Sequence, residues 1–245
     1  MKTPRFFCDA GLTPCSVGPL PKAVAHHVRV RRLKAGEQVV LFDGSGQEFV
    51  AELSFEADGT CLAHTGPGQT IDRERRGHLT LVQALTSQDR MDWVIEKAVE
   101  LGVGAVIVTP AARSVVKLSA DRASKRHQHW QGIVKSASEQ CGRNRLMGVH
   151  ITGSLAQALG LIQGTPKLLF TPEATAGLND PALLQQFKET GKAACCIGPE
   201  GGWDSTEQDQ IIRQAATRVN LGPRVLRTET AGLFATACLT THLDW

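Results

Sequence analysis

The fold is decided by three stretches of the sequence: LFTPEA (169–174), IGPEGGW (197–203) and LGPRVLRTETA (221–231). Each begins at the end of a short apolar run, which is where a strand of an open α/β sheet passes into a loop. Glycine lets backbone approach a ligand closely, and proline fixes the shape of a loop. Because such sheets bind ligands at the carboxyl ends of their strands, the stretches predict a ligand site there. Ordinary turn chemistry is the alternative for any one of them.

The rest of the chain from residue 78 onward alternates between apolar strands and amphipathic helices. The predicted strands are 78–85, 104–110, 167–172, 193–198 and 218–222, and the predicted helices are 89–101, 125–141, 205–216 and 230–243. Ser205 and Gln208 have the spacing of a capping box at the start of the third helix. This alternation predicts an α/β domain with a mostly parallel sheet and helices on both faces.

The first 70 residues have a different character, with short β-rich runs separated by turn signals. Two such runs flank DGSG at 43–46, which predicts a β-hairpin. Glycine, proline and charged residues over 64–77 are typical of a linker. The sequence therefore predicts two domains, residues 1–72 and residues 73–245.

Composition sets limits on the class of protein. Of the 245 residues, 42% are hydrophobic and 21% are charged, so the chain can bury a core and does not resemble a disordered protein. Its seven cysteines include no C-x-x-C pair, which argues against a disulfide framework or a zinc site and favours reduced thiols. The first residues lack the apolar run of a signal peptide, and no stretch reaches the roughly 18 apolar residues of a membrane helix. We therefore expect a cytoplasmic protein without a metal.

Positive charge is concentrated in two segments although the net charge is only +3. Basic residues outnumber acidic ones between Arg113 and Arg145, and a second cluster lies between Lys22 and Lys34. Local positive charge of this kind is typical of a surface that binds a polyanion. A solvated helix face is the alternative for either cluster.

Common nucleotide-binding and ligand motifs do not follow the predicted strands. No G-K-[ST] and no G-x-G-x-x-G stands at these positions, which argues against a Walker loop and a dinucleotide site. His127 and His129 fall on different faces of a predicted helix, so they do not form a ligand pair.

The chain resembles one known family over nearly its whole length. Eight segments carry the resemblance: PRFF (4–7), HHVRVRRLKAGE (26–37), LFDGSG (41–46), RMDWVIEKAVELG (90–102), ARSVVKL (112–118), SEQCGRNR (138–145), IGPEGG (197–202) and LGPRVLRTETA (221–231). In these segments the chain resembles the bacterial 16S ribosomal RNA (uracil-N3) methyltransferases, which belong to the SPOUT superfamily. The last two motifs at this spacing are a specific signal. One departure is Ala112, where the family more often has an acidic residue.

The resemblance implies a fold, a reaction and a cofactor. It implies a small PUA-like β-barrel that binds RNA over 1–72 and a SPOUT-type α/β domain with a trefoil knot over 73–245. The implied reaction moves a methyl group from S-adenosylmethionine to N3 of a uridine in 16S rRNA, free or within the assembled small subunit. SPOUT enzymes are typically homodimers whose cofactor lies in the knot.

The same resemblance points to particular residues. Those expected to bind the cofactor are Leu169, Phe170, Thr171, Pro172, Ile197, Gly198, Pro199, Glu200, Gly201, Gly202, Leu221, Gly222, Val225, Leu226, Arg227, Thr230 and Ala231. Those expected to bind RNA are Arg5, Arg29, Arg32, Arg113, Lys117, Arg143, Asn144 and Arg145.

The chemistry of N3 methylation suggests which side chains act. The imide N3 of uracil must lose its proton before it attacks, and the resulting charge spreads to the flanking carbonyl oxygens. Arg227 and Arg224 are the expected anion stabilisers. Glu229 and Glu200 are the candidate bases, with Glu229 preferred; a place at a helix N-terminus is the alternative role for both. A sulfonium supplies the electrophile, so the reaction requires no metal.

Two other functional classes and one assembly question stay open. A non-catalytic RNA-binding protein, such as a ribosome assembly factor, would explain a barrel and basic clusters but not three glycine- and proline-bearing loops. A nucleotide-binding enzyme would need phosphate motifs that the sequence lacks.

The last predicted helix is apolar around most of its circumference, which favours burial at a subunit interface that includes Phe234. Burial within its own domain is the alternative.

Overall fold

The computed structural model describes residues 3–116 and 119–245, and the chain divides into two compact units. The first unit comprises the chain up to Glu74 together with Lys135–Leu146. The second comprises Arg75–Val134 and Met147–Trp245. Residues 135–146 therefore pack with the N-terminal strands, although they come long after the boundary that the sequence suggests at residue 72.

The first unit is built on a six-stranded sheet. Its strands are β1 (Arg5–Phe7), β2 (Val17–Pro19), β3 (Gln38–Phe42), β4 (Gln47–Phe55), β5 (Cys61–Thr65) and β6 (Gln69–Thr70). Their order is β1-β3-β4-β5-β2, with β6 paired to β4. Among the described strands of this unit, β1 and β3 form the only parallel pair. Strands β3 and β4 form the hairpin that the sequence predicts across 43–46, with Leu41 opposite Phe49.

One helix of the first unit was missed by the sequence analysis. Helix α1 (Lys22–Val30) buries Val24, Ala25 and Val28, which pack into the core beneath the sheet. These three positions form the apolar stripe of a short amphipathic helix. The stripe is interrupted by histidines and arginines, so the sequence pattern indicates only a cationic cluster there.

The sheet of the second unit is parallel throughout, as the sequence predicts. Its strands are β7 (His78–Ala84), β8 (Ala105–Thr109), β9 (Gly148–Ile151), β10 (Lys167–Phe170), β11 (Lys192–Ile197) and β12 (Ala216–Val219). Their order is β12-β10-β11-β7-β8-β9. The strands that precede the three glycine- and proline-bearing loops are thus neighbours, and their loops leave the sheet at the same edge.

Six further helices connect or follow these strands. They are α2 (Gln88–Glu100), α3 (Ala120–Cys141), α4 (Leu155–Leu161), α5 (Pro181–Thr190), α6 (Ser205–Ile212) and α7 (Thr228–Leu243). The capping box suggested for Ser205 and Gln208 is wrong by one residue, because Asp204 caps α6 and exchanges hydrogen bonds with Glu207. The helix also ends at Ile212, since the chain must enter β12 at Ala216. Within the described parts of the chain, no helix combines the length and apolar character that crossing a bilayer requires.

Candidate active site

A cavity of about 400 Å³ opens at the carboxyl ends of β10, β11 and β12. Its volume lies within the roughly 300–1,000 Å³ of small-molecule sites. The walls come from the three loops, from the first turn of α7 and from Arg90 on α2. The site therefore arises because strands distant in sequence are adjacent in the parallel sheet.

The structure brings most of the expected cofactor residues to this cavity. They are Phe170, Thr171, Pro172, Ile197, Gly198, Pro199, Glu200, Gly202, Leu221, Gly222, Val225, Leu226, Arg227 and Ala231. Three others do not line it, which corrects the expectation for them. Leu169 is fully buried within β10 and packs in the core. Gly201 offers its carbonyl to Arg113, and Thr230 is exposed on the outer side of α7.

Four lining residues were missed by the sequence analysis. They are Arg90, Val219, Asn220 and Thr228. Asn220 could have been predicted from the sequence, because the side chain of an asparagine after a strand commonly forms a hydrogen bond with the backbone of its own turn. Its side chain accepts a hydrogen bond from the Gly222 amide and donates one to the Ala174 carbonyl, which ties the loops after β10 and β12 together. Arg90 carried no local signal, since it belongs to a helix remote from the loops in sequence.

Gly198 is where the loop after β11 has least room. A Cβ atom placed there would lie 2.9 Å from the backbone nitrogen of Trp203 and 3.2 Å from Gly202. Real side chains do not tolerate such a contact with backbone, so glycine is required for the loop to keep its shape. The wall of the cavity here is consequently main chain, which can offer amides and carbonyls to a ligand.

Charged groups at one side of the cavity form a compact network. Arg90 Nη1 and Thr86 Oγ1 both donate to Oε1 of Glu200. Burial would raise the pKa of the Glu200 carboxyl, but the hydrogen bond from Thr86, a backbone bond and the charge of Arg90 outweigh it and hold the pKa below its usual range. Glu200 is therefore an anion at neutral pH and a weak base.

Glu229 has a different environment. It lies in the first turn of α7, and its side chain is only 13% exposed. Its Oε2 atom is buried and has no hydrogen-bond partner among the described residues. A buried carboxylate oxygen without a partner is uncommon. Glu229 is not among the residues that line the cavity, although Thr228 and Ala231 on either side of it are. Of the two candidate bases, Glu229 therefore has the freer acceptor.

Two arginines stand at the mouth of the cavity. Arg224 and Arg227 line it and are exposed, and neither guanidinium group forms a hydrogen bond or ion pair with any part of the chain that the structure describes. Arg227 is the N-cap residue of α7, where the helix dipole adds to its positive charge. Both guanidinium groups are thus available to an anion that enters from solvent.

Three of the residues expected to bind RNA are instead interior groups of the first unit, which corrects that expectation. Arg5, Arg143 and Asn144 are no more than 7% exposed. Arg5 donates to Glu48 and to Asn144, and Arg143 donates to both carboxylate oxygens of Glu74. Guanidinium groups that are buried and paired in this way are not presented to phosphate.

The remaining expected RNA contacts have exposed side chains. Arg29, Arg32 and Arg145 lie on the first unit, and Arg113 lies on the second. Arg29 and Arg113 each donate to a backbone carbonyl, of Gly59 and Gly201 respectively, which holds their position. Lys117 lies outside the described residues.

The described residues contain no cluster of metal ligands. Nowhere in residues 3–116 and 119–245 do three histidine, cysteine or acidic side chains converge as a metal site would require. His129 pairs with Asp92 at 2.8 Å, and Nε2 of His127 lies 3.0 Å from the carbonyl of Val149.

Comparison with known proteins supplies independent information. The model of the RNA methyltransferase domain matches residues 73–240, and that of the RNA methyltransferase PUA domain matches residues 20–64. The ribosomal RNA small subunit methyltransferase E of Bacillus subtilis is 33% identical over 225 residues, which cover 88% of this chain and 86% of the relative.

Solved structures of similar proteins include two with S-adenosylmethionine bound. The ribosomal RNA small subunit methyltransferase E of Neisseria gonorrhoeae is 35% identical, with a TM-score of 0.86 and coverage of 98% of this chain and 97% of that one. A methyltransferase from Legionella pneumophila is 29% identical, with a TM-score of 0.89 and coverage of 98% of both chains. Both likenesses extend over the two units of the chain.

Proposed function

The chain belongs to the RNA methyltransferase family that includes the ribosomal RNA small subunit methyltransferases E, and from this premise we propose that it methylates N3 of a uridine in 16S rRNA. It is an S-adenosylmethionine-dependent enzyme of that family. One observation carries the proposal for this chain. A cavity of small-molecule size has Arg224 and Arg227 at its mouth, and Glu229 follows two residues after Arg227 in the first turn of α7.

The cavity suits S-adenosylmethionine in size and lining. Its walls are mostly apolar side chains and backbone, with the charged groups confined to Arg90, Glu200 and the two mouth arginines. Backbone amides and carbonyls can bind the edge of an adenine, and apolar side chains can cover its faces. When bound, the cofactor supplies a methyl group on an electrophilic sulfonium.

The residues of the chain account for the proton and the charge of the reaction. Glu229 accepts the N3 proton of the uracil through its unpaired carboxylate oxygen. Arg227 and Arg224 stabilise the charge that then develops on the flanking carbonyl oxygens, since both are unpaired and exposed. Glu200, whose pKa is lowered, remains an anion and holds Arg90 at the edge of the cavity.

The two domains divide the work in this proposal. Residues 1–72 form a PUA-like barrel that binds RNA, and residues 73–245 form the methyltransferase domain. Support comes from the family models, which match a PUA domain over 20–64 and a methyltransferase domain over 73–240. Phosphate contacts come from Arg29, Arg32, Arg113 and Arg145, whose side chains are exposed. Lys117 belongs to the proposed set on the basis of the sequence alone.

A trefoil knot and a homodimer complete the proposal. Support for the knot comes from α7, which follows the loop after the edge strand β12 and yet packs against the central strands β11 and β7. Support for the dimer comes from Phe234, which is 46% exposed on this otherwise largely buried helix. The proposed location is the cytoplasm, where rRNA is modified.

The decisive experiment combines binding with mapping of the product. Calorimetry with S-adenosylmethionine should show stoichiometric binding, whereas a pure RNA-binding module would give no heat. Small-subunit rRNA from a deletion strain should then gain one methyl group on a uridine when it is incubated with enzyme and cofactor. Mass mapping of the product locates the uridine, and free rRNA and assembled subunits are compared as substrates. Binding without methyl transfer to either substrate would contradict the proposal.

A further inference from the structure

A buried hydrogen-bond chain links the second and third cofactor loops through a residue that does not itself reach the cavity. Gln83 lies on β7 and is fully buried. Its Nε2 donates to Oγ1 of Thr228 at 2.8 Å. The hydroxyl of Thr228 in turn donates to the carbonyl of Gly198 at 2.5 Å. Three segments that are distant in sequence are therefore joined by two consecutive bonds.

The direction of each bond follows from what each group can do. A threonine hydroxyl has a single proton, and the Gly198 carbonyl can only accept, so Thr228 must give its proton to Gly198. Gln83 must then be the donor to Thr228. The side-chain nitrogen also donates to the carbonyl of Ala84 at 3.2 Å, which fixes the orientation of the amide.

In this orientation the oxygen of the same amide is left without a hydrogen-bond partner in the part of the chain that the structure describes, which is energetically unfavourable. Oε1 of Gln83 is buried and has no hydrogen-bond partner among the described residues. Buried amide oxygens are almost always paired, and an apolar side chain would avoid the penalty altogether. A glutamine at this site is therefore best explained by what its donor does for Thr228.

The chain of bonds acts on the cavity wall. Thr228 and Gly198 both line the cavity, whereas Gln83 does not. The Gly198 carbonyl is held by Thr228 on one side, and its Cα is confined by the Trp203 backbone on the other. The peptide plane after Gly198 consequently has one orientation before any ligand arrives. A site that is already ordered loses less entropy on binding.

We propose that Gln83 is a positioning residue for the cofactor site, which orients the Thr228 hydroxyl and through it the backbone of Gly198. The inference rests on the proposed function, because it assumes that this cavity binds S-adenosylmethionine. Its effect is on cofactor affinity and not on the chemical step. Gln83→Met, which keeps the length of the side chain and removes both polar atoms, should weaken S-adenosylmethionine binding about threefold to tenfold. The turnover number at saturating cofactor should stay within about twofold.

A double-mutant cycle separates positioning from general damage to the core. Thr228→Val removes the hydroxyl at nearly constant volume, and Thr228→Ser retains it. We expect the valine variant to bind the cofactor more weakly and the serine variant to resemble wild type. In the Thr228→Val background, Gln83→Met should have little further effect, because the partner through which Gln83 acts is gone.

A matched control lies in the same helix. Thr236 is also fully buried, and its hydroxyl donates to the backbone carbonyl of Gly232 instead of a loop. Thr236→Val should therefore leave cofactor affinity unchanged. Circular dichroism establishes that each variant is folded at the temperature of the titration.

Each outcome has a definite meaning. Wild-type protein that binds no S-adenosylmethionine would overturn the proposed function together with this inference. Wild-type binding with an equal affinity in Gln83→Met would overturn the inference alone, as would additive effects in the double mutant. If Gln83→Met does not fold, the Thr228 variants decide: equal affinities for Thr228→Val and Thr228→Ser would contradict a role of the hydroxyl.

Discussion

Nε of Arg90 lies 3.6 Å from Oε1 of Glu229. The same guanidinium donates through Nη1 to Glu200, so one cation serves two carboxylates, one from the loop after β11 and one from α7. Without it, neither carboxylate would have a cationic partner among the described residues. The arrangement makes Arg90 the element that lets an anionic Glu200 and the proposed base Glu229 share one site.

Replacement of Arg90 should lower the activity of the enzyme. In Arg90→Ala the pKa of Glu200 should rise, because the charge of Arg90 is one of the causes that lower it. We expect kcat/KM, measured by steady-state methyl transfer, to fall about tenfold, because Glu200 and the proposed base Glu229 lose the cation that they share. Arg213→Ala is the control, since Arg213 is exposed at the end of α6. An unchanged kcat/KM in Arg90→Ala would show that Arg90 has no part in the reaction.

The proposed base can be tested without disturbing the cofactor. Glu229→Gln keeps the size of the side chain and removes the proton acceptor. We expect kcat to fall about 100- to 10,000-fold, the range typical of general bases, with S-adenosylmethionine affinity unchanged. Rapid-quench methyl transfer and calorimetry measure the two quantities separately. Glu189→Gln on the exposed face of α5 is the control. Full activity in Glu229→Gln would assign the proton to another acceptor.

Gly198 should tolerate no side chain. In Gly198→Ala the new Cβ would meet the Trp203 backbone at 2.9 Å, so the loop after β11 must move. We expect S-adenosylmethionine affinity to fall at least about tenfold while circular dichroism shows the fold retained, because the strain is confined to a loop. Gly160→Ala on α4 is the matched control, since a Cβ there meets nothing within 4 Å. Equal affinities in the two variants would remove this loop from the cofactor site.

Stability at low pH should depend on Glu48. Burial would raise the pKa of this carboxyl, but hydrogen bonds from Arg73, Arg5 and Asn144 lower it from 4.5 to about 2. A carboxyl with a lowered pKa in the folded state contributes stability above about pH 4.5, and the contribution is lost as the pH falls towards 2. Glu48→Gln should therefore flatten the decline of the free energy of unfolding over this range.

Urea unfolding between pH 2 and pH 6 measures this effect. Glu52→Gln is the control, because Glu52 lies on the same strand with an exposed side chain. The control should follow the wild-type pH profile. A wild-type free energy of unfolding that is flat from pH 4.5 to 2 would contradict the assigned role of the Glu48 cluster.

Phe234 tests the proposed homodimer. It is 46% exposed, whereas most of its neighbours on α7 are buried within the unit. Phe234→Asp should yield monomers in sedimentation velocity at micromolar concentration, because an unpaired charge at an apolar interface is costly. Leu161→Asp, on the exposed side of α4, introduces the same charge elsewhere and should leave the assembly unchanged. Wild-type protein that sediments as a monomer would by itself contradict the proposed homodimer.

The amino-acid sequence by itself determined five of the six strands and four of the six helices of the second unit, whereas β9, α4 and α5 were not predicted. Apolar periodicity and glycine or proline turns are local signals, and they place the strand ends within one to three residues of Phe170, Ile197 and Val219. The β3–β4 hairpin was predictable for the same reason. The convergence of the three loops could be predicted without knowledge of any tertiary contact, because the carboxyl ends of parallel strands lie at the same edge of a sheet.

Only the tertiary structure decided which polar side chains are interior and which pairs meet. Arg143 and Asn144 belong to a basic segment of the sequence, yet both are buried, Arg143 in an ion pair with Glu74 and Asn144 in a hydrogen bond to Glu48. Gln83 and Thr228 are 145 positions apart and share no local pattern. Desolvation and pairing depend on which elements the fold brings together, whereas periodicity reports only on neighbours along the chain. The strand ends that hold the site were therefore visible in the sequence, but the hydrogen-bond chain that orders it was not.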